Sequence, residues 1–129
     1  MAKCILIVED DLICFKVGKM FFEMQGYEVE YAESGEEALQ LFAHKMWGQK
    51  PYSAIYMDIG LPKLNGIETC IAIRKLESEK ALSPVPIIAV TGNNDPEMIK
   101  SCLSAGMIDV LAKPLTKPKS LYFISKCNL

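Results

Sequence analysis

The chain has one histidine, His44, and no apolar stretch near the ~20 residues that a bilayer-crossing helix needs. No cationic segment leading into an apolar run and a small-residue cleavage site opens it. Export and membrane spanning are therefore not expected. Basic excess is missing too: 14 Lys and Arg stand against 16 Asp and Glu, giving a net charge of −2, with no basic stripe. Direct nucleic-acid binding thus lacks its electrostatic footprint. Paired cysteine motifs are absent. Cys4, Cys14, Cys70, Cys102 and Cys127 are odd in number, widely spaced and set in apolar runs, unlike a disulfide framework or a zinc motif. A reducing cytoplasm is the expected compartment. His44 sits in a helical stretch far from any acid cluster, which argues against a zinc centre and for a surface position.

Half of the 129 residues are hydrophobic, and a chain of this length buries about two-thirds of its unfolded surface, enough for one core without staples. Residues 1–129 are expected to form a single domain. Residues 3–8 form an apolar, β-branched run ending at Glu9-Asp10-Asp11, as a strand covered on both faces would. From Leu12 to Gln25 the apolar residues Ile13, Val17, Met20, Phe21 and Met24 recur at helical spacing opposite Lys16, Lys19 and Glu23, before Gly26. This stripe is the expected buried face of a first helix. Tyr27, Val29 and Tyr31 alternate with Glu28 and Glu30 as in a strand near a sheet edge. Ser34 and Glu37 then read as a capping box opening a helix through Ala38, Leu41, Phe42 and Met46.

After a loop around Trp47–Pro51, residues 53–57 form a third strand that stops at Asp58. Gly60–Gly66 is rich in breakers and precedes a helix carrying Ile67, Cys70 and Ile71. Ile87–Val90, a fourth strand, ends at Thr91. Asp95-Pro96 supplies an N-cap and a first-turn proline for a helix burying Met98, Ile99, Cys102 and Leu103. Residues 107–112 form a fifth strand before Lys113-Pro114, and a last short helix over 117–127 carries Leu121, Phe123 and Ile124. Five strands alternating with five helices predict an α/β fold: a doubly wound, five-stranded parallel sheet with right-handed crossovers. A flavodoxin-like order of 2-1-3-4-5 is a common solution for this element count.

In such a sheet the strands' C-terminal ends share one rim, where ligands bind. That rim collects Glu9, Asp10 and Asp11, then Asp58, Thr91 and Lys113. Acids beside acids repel unless a cation intervenes. Mg2+ suits the donors, since it takes one or two carboxylates and keeps waters and a phosphate oxygen. Asp10 and Asp58 are the expected direct ligands, with Glu9 acting through water and the Gly60 backbone carbonyl completing the set. Asp58, ionised at neutral pH, can attack phosphorus without a general base. Lys113 then neutralises phosphoryl oxygens and Thr91 hydrogen-bonds one of them, so that modification repacks the fourth and fifth strands.

These residues resemble the receiver domain of two-component response regulators. Ile5–Asp11 is similar to the family's first strand and acidic pair, Tyr56–Pro62 with Asn65-Gly66 to the phospho-acceptor segment, Pro86–Gly92 to the switch-hydroxyl strand, and Ala112-Lys113-Pro114 to the phosphoryl-contacting lysine, its proline commonly after a cis peptide. The resemblance implies a CheY-like (βα)5 fold, Mg2+, and a phosphorelay in which Asp58 exchanges a phosphoryl group with a histidine kinase or histidine phosphotransfer domain. Lys16-Val17 and Cys102–Met107 look most like receivers of hybrid sensor histidine kinases, which implies kinase or output domains linked in a longer protein, or else a stand-alone receiver. Phe15 and Phe22 lie outside the apolar stripe and are either a docking surface or additional core. Val110 stands where an aromatic switch is frequent, so aromatic gating is not implied. Gly60 and Gly92 stand where bulkier residues often tune water access. The rival reading is a Mg2+-dependent phosphohydrolase with an aspartyl nucleophile, which would want a general acid near Asp58 and a substrate cap. A nucleotide-binding module is weaker still, because acids replace the glycine-rich phosphate loop.

Overall fold

The computed structural model describes residues 3–47, 52–93 and 95–126, in which five strands alternate with five helices. In chain order these are β1 (Cys4–Val8), α1 (Leu12–Glu23), β2 (Glu28–Ala32), α2 (Gly35–Trp47), β3 (Ala54–Asp58), α3 (Gly66–Glu79), β4 (Ile87–Thr91), α4 (Pro96–Ser104), β5 (Asp109–Ala112) and α5 (Lys117–Lys126). The strands form one parallel sheet in the order β2-β1-β3-β4-β5. The expected doubly wound architecture is what the chain adopts. Residues 48–51, Cys127 and the side chain of Phe123 lie outside the described residues.

Side chains on a strand alternate between faces, and the two cores follow that period of two. Leu6, Val8, Ile55, Met57, Ile87 and Ala89 enter the larger cluster with Phe42, Cys70 and Ile73. Ile5, Ile7, Tyr56, Ile88 and Val90 enter the other with Phe22 and Leu111. Asp58 continues the row of Ala54 and Tyr56, so its side chain belongs to the second face, the side of α1.

The first helix corrects the sequence reading. Its buried residues are Gly18 and Phe22, with Phe15 packed against the second core. Phe15 stacks on Tyr31 at 4.0 Å between ring centroids, and Phe22 lies against Tyr56 at 4.6 Å. Both phenylalanines are therefore core. The stripe expected inside faces solvent: Ile13 is 74% exposed, Met20 51% and Met24 62%. At about 100° per residue the two stripes lie on opposite sides of the helix. The aromatic one wins because its rings bury more area and because Gly18 lets the helix approach closely. A Cβ at Gly18 would stand 3.1 Å from Ile7 Cδ1 and 3.5 Å from Leu115 Cδ2. Leu103 on α4 is likewise exposed instead of buried. Cys102 carries the inner face of α4, and Ile124 packs from α5.

Helix starts follow capping chemistry. Asp11 accepts from the amides of Ile13 and Cys14, Ser34 from that of Glu37, and Asp95 from that of Glu97 ahead of Pro96. Asn65 and Glu68 form a full capping box for α3.

Candidate functional site at the C-terminal rim of the sheet

Each strand end delivers one functional side chain to the rim. Glu9 follows β1, its amide bonded to the Ala32 carbonyl at 3.0 Å and its carboxylate buried. Asp10 points from the next position and is exposed. Asp11 is occupied in capping α1 and belongs to the helix rather than to the acid cluster. Asp58 is the last residue of β3 and only 5% exposed. Carboxylate oxygens of Glu9, Asp10 and Asp58 lie within 4.8 Å of one another, so the far-separated acids do meet. No other such group of three occurs among the described residues.

Lys113 supplies the cation at this centre. Its backbone amide bonds the Thr91 carbonyl at 2.8 Å, and the Lys113–Pro114 peptide that follows is cis. Its Nζ lies 3.0 Å from Glu9 Oε1 and 3.3 Å from Asp58 Oδ1. Thr91 is buried at the end of β4, and its hydroxyl is engaged by the backbone of the following loop. It accepts from the Asn93 amide at 3.0 Å and donates to the Asn93 carbonyl at 3.1 Å.

Two glycines shape the loop that follows Asp58. The Gly60 amide donates to Asp58 Oδ1 at 3.1 Å. Gly66 lets the start of α3 press against the Asp58 backbone: a Cβ there would fall onto the Asp58 carbonyl and 2.9 Å from Ile59 Cα. The sequence reading missed this role; the signal available was Asn65-Gly66 with Glu68, an N-cap followed at the right spacing by its acidic partner. In contrast, a Cβ at Gly92 would meet nothing within 4 Å, and one at Gly60 only Asp58 Oδ1, at 3.8 Å. Neither Gly60 nor Gly92 is therefore required by packing.

Electrostatics divides the two buried carboxyls. Burial, then the hydrogen bond to Asp58, pushes Glu9 up from 4.5 to about 7. Burial also acts upward on Asp58, but the Glu9 hydrogen bond, the Gly60 amide and Lys113 outweigh it and hold the carboxyl below its ordinary value. Burial lowers Lys113, and the two carboxylates more than restore it, so the ammonium stays charged. Asp58 is thus the more acidic of the two buried carboxyls and Glu9 the more readily protonated. This arrangement can stabilise a cation or a phosphoryl group carrying three anionic oxygens.

A cavity of about 220 Å³ opens from this centre between α1 and residues 113–115. Asp58, Glu9 and Lys113 form its polar end, and Ile13, Val17, Tyr56, Val90 and Leu115 its apolar walls.

Residues 5–124 match the family model described as the response regulator receiver domain. The peroxide stress-activated histidine kinase mak1 of Schizosaccharomyces pombe is 33% identical over 114 residues, covering 87% of this chain but 7% of the kinase. The osmosensing histidine protein kinase SLN1 of Saccharomyces cerevisiae is 34% identical over 116 residues, 89% of this chain and 9% of that protein. The chain thus spans less than a tenth of either kinase. Among solved structures, the Mg2+-complexed receiver domain of the histidine kinase CKI1 from Arabidopsis thaliana superposes with a TM-score of 0.81 at 31% identity, covering 94% of this chain and 90% of that one. With its fold, its rim of acids and its lysine accounted for, the chain belongs to the response regulator receiver family of two-component signalling.

Proposed function

We propose that the chain, as one receiver domain over residues 1–129, accepts a phosphoryl group on Asp58 from the phosphohistidine of a histidine kinase or histidine phosphotransfer domain. The observation that carries this reading is the position of Asp58: buried, ionised, 3.3 Å from the Lys113 ammonium and clustered with two further carboxylates. An Asp58 oxygen attacks phosphorus, the P–N bond breaks, and imidazole leaves with the electron pair. Asp58 needs no base, since its carboxyl is already ionised. Lys113 takes up phosphoryl oxygen charge as the group arrives.

The donor set suits Mg2+: all-oxygen, few in number and anionic. Asp10 and Asp58 would hold it directly, with the Gly60 carbonyl, and Glu9 through water. Bound there, the ion supplies positive charge to the phosphoryl oxygens. Thr91 is the switch hydroxyl: to bond a phosphorylated Asp58 it must leave Asn93, and that exchange moves the loop between β4 and α4. The output is a changed surface, not a released metabolite, and family membership favours this over the phosphohydrolase. A reducing cytoplasm fits the free thiols of Cys4, Cys14, Cys70 and Cys102.

The exposed stripe of α1, with Ile13, Val17, Met20 and Met24, is the surface on which the phosphohistidine-bearing partner docks. It borders the cavity that leads to Asp58 and gathers more exposed apolar side chains than a free helix face needs. Kinase or output domains linked to this one in a longer protein belong to the same reading.

Incubation with a phosphohistidine donor and Mg2+, followed by intact mass, tests the assignment. A single phosphoryl adduct is expected on the native chain and none on Asp58→Asn; an adduct that survives the substitution moves the acceptor elsewhere.

A further inference from the structure

The loop from Asp58 to α3 is held at both ends and contorted between them. Ile59 and Leu61 are buried in the larger core, and Asn65 is fixed by its capping box with Glu68. In the middle Lys63 has φ 60, the left-handed region that a residue with a Cβ disfavours. The first turn of α2 lies against this stretch. The Leu64 amide donates to Glu36 Oε1 at 3.2 Å. Gly35 brings the two backbones together: a Cβ there would fall 2.6 Å from the Leu64 carbonyl oxygen and onto the Thr69 hydroxyl, which donates to the Asn65 carbonyl at 2.7 Å. Glu36 itself is exposed, so the core of α2 does not require it.

We propose that Glu36 is a positioning residue for the phospho-acceptor: by holding the Leu64 amide it keeps the loop in the conformation in which the Gly60 amide bonds Asp58 and the Gly60 carbonyl is available to Mg2+. The inference rests on Asp58 being the acceptor and on Mg2+ binding beside it. Glu36 touches neither. Its effect travels along the chain, because Pro62, whose ring fixes φ, passes a displacement of residues 63 and 64 to Leu61, the neighbour of Gly60. A hydrogen bond of this kind favours the held loop by about two- to tenfold, and the left-handed turn at Lys63 opposes it by a comparable factor. Without Glu36, looser loop conformations therefore compete. The apparent dissociation constant for Mg2+ rises in inverse proportion to the fraction of molecules whose loop is held.

The half-saturating Mg2+ concentration can be read in two ways, from the rate of adduct formation on Asp58 by intact mass and, with no donor present, from the Gly60 amide resonance. Glu36→Ala is expected to raise it about two- to fivefold, while the rate at saturating Mg2+ stays near native. Glu36→Gln keeps an oxygen for the Leu64 amide and loses only the charge, so it should recover most of the loss. Lys63→Gly relaxes the left-handed turn; it should restore Glu36→Ala yet change the native chain little. In chelator, the Leu64 amide of Glu36→Ala should exchange with solvent faster than that of the native chain. An unchanged half-saturation in Glu36→Ala would overturn the proposal. So would a loss in Glu36→Gln as large as in Glu36→Ala, which makes it an effect of charge, or an equal shift from Lys63→Gly in both backgrounds. A native Gly60 resonance indifferent to Mg2+ overturns it as well. None of these outcomes touches the acceptor, whose failure shows separately as an adduct that survives Asp58→Asn; the Gly60 titration and the Leu64 exchange then still decide the role of Glu36.

Discussion

At the scale of single residues the site depends on what glycine leaves empty. Gly66 and Gly92 flank the same rim, yet only Gly66 is pressed against backbone, that of Asp58 and Ile59. Alanine at Gly66 must push either the first turn of α3 or the acceptor strand aside, whereas alanine at Gly92 enters open space. Overpacking of this kind costs about 1–3 kcal/mol, and a displacement near 1 Å at a reacting group costs on the order of a hundredfold in rate. Gly66→Ala is therefore expected to lower stability in urea unfolding and to slow phosphorylation of Asp58 at least about tenfold. Gly92→Ala should leave urea stability within about 0.5 kcal/mol of the native chain. Indistinguishable stabilities and rates for the two variants would show that the close approach at Gly66 does not position Asp58.

At the scale of elements, period and capping made most of the chain legible. Strands buried on both faces read directly as apolar runs, each halted by a polar residue at the rim. What α1 does was not legible, because two apolar stripes of helical period occupy opposite sides of it and periodicity does not say which faces the sheet. Ile13, Val17, Met20 and Met24 satisfy the pattern as well as Phe15, Gly18 and Phe22 do. Ring area and the close approach at Gly18 decide it, and both depend on the partner surface, Ile7, Tyr31 and Tyr56. The outward stripe then has no structural reason to be apolar, which is why docking is assigned to it. Met20→Lys puts a charge in the middle of that stripe, more than half exposed, without touching the core. Its unfolding free energy should stay within about 0.5 kcal/mol of the native value. Transfer from a phosphohistidine phosphotransfer domain should fall at least about tenfold, as for loss of a central interface residue. Native-like transfer by this variant would place the partner on another face.

At the scale of the whole molecule, the acid cluster couples folding, protons and metal. Strand order brings Glu9, Asp10 and Asp58 together, and this convergence was readable from the parallel topology before any distance was known. The Thr91 hydroxyl was not readable in the same way: the loop after β4 offers it the Asn93 backbone, a local competitor that no spacing rule reveals. The sharing of one proton by the buried pair was also out of reach, since it depends on burial and on the reach of Lys113. Folding holds that proton on Glu9 up to about pH 7, while the unfolded chain releases it near 4.5. Stability from this group is complete below 4.5 and is lost as pH rises through 7. Asp58, held below its ordinary value, acts in the opposite sense, but only as pH falls below about 4, outside this window. In chelator, the unfolding free energy is thus expected to fall between pH 5 and pH 8, by on the order of 1–3 kcal/mol from Glu9. Glu9→Gln should flatten that fall. Mg2+ requires the ionised carboxylate, so its stabilising increment, which grows as RT ln(1 + [Mg2+]/Kd), should be larger at pH 8 than at pH 5.5. Parallel urea titrations with Mg2+ and with chelator across this range measure both slopes. A metal-free stability that rises from pH 5 to pH 8, or an increment from Mg2+ independent of pH, would mean that Glu9 is ionised throughout and that Lys113 alone balances the buried pair.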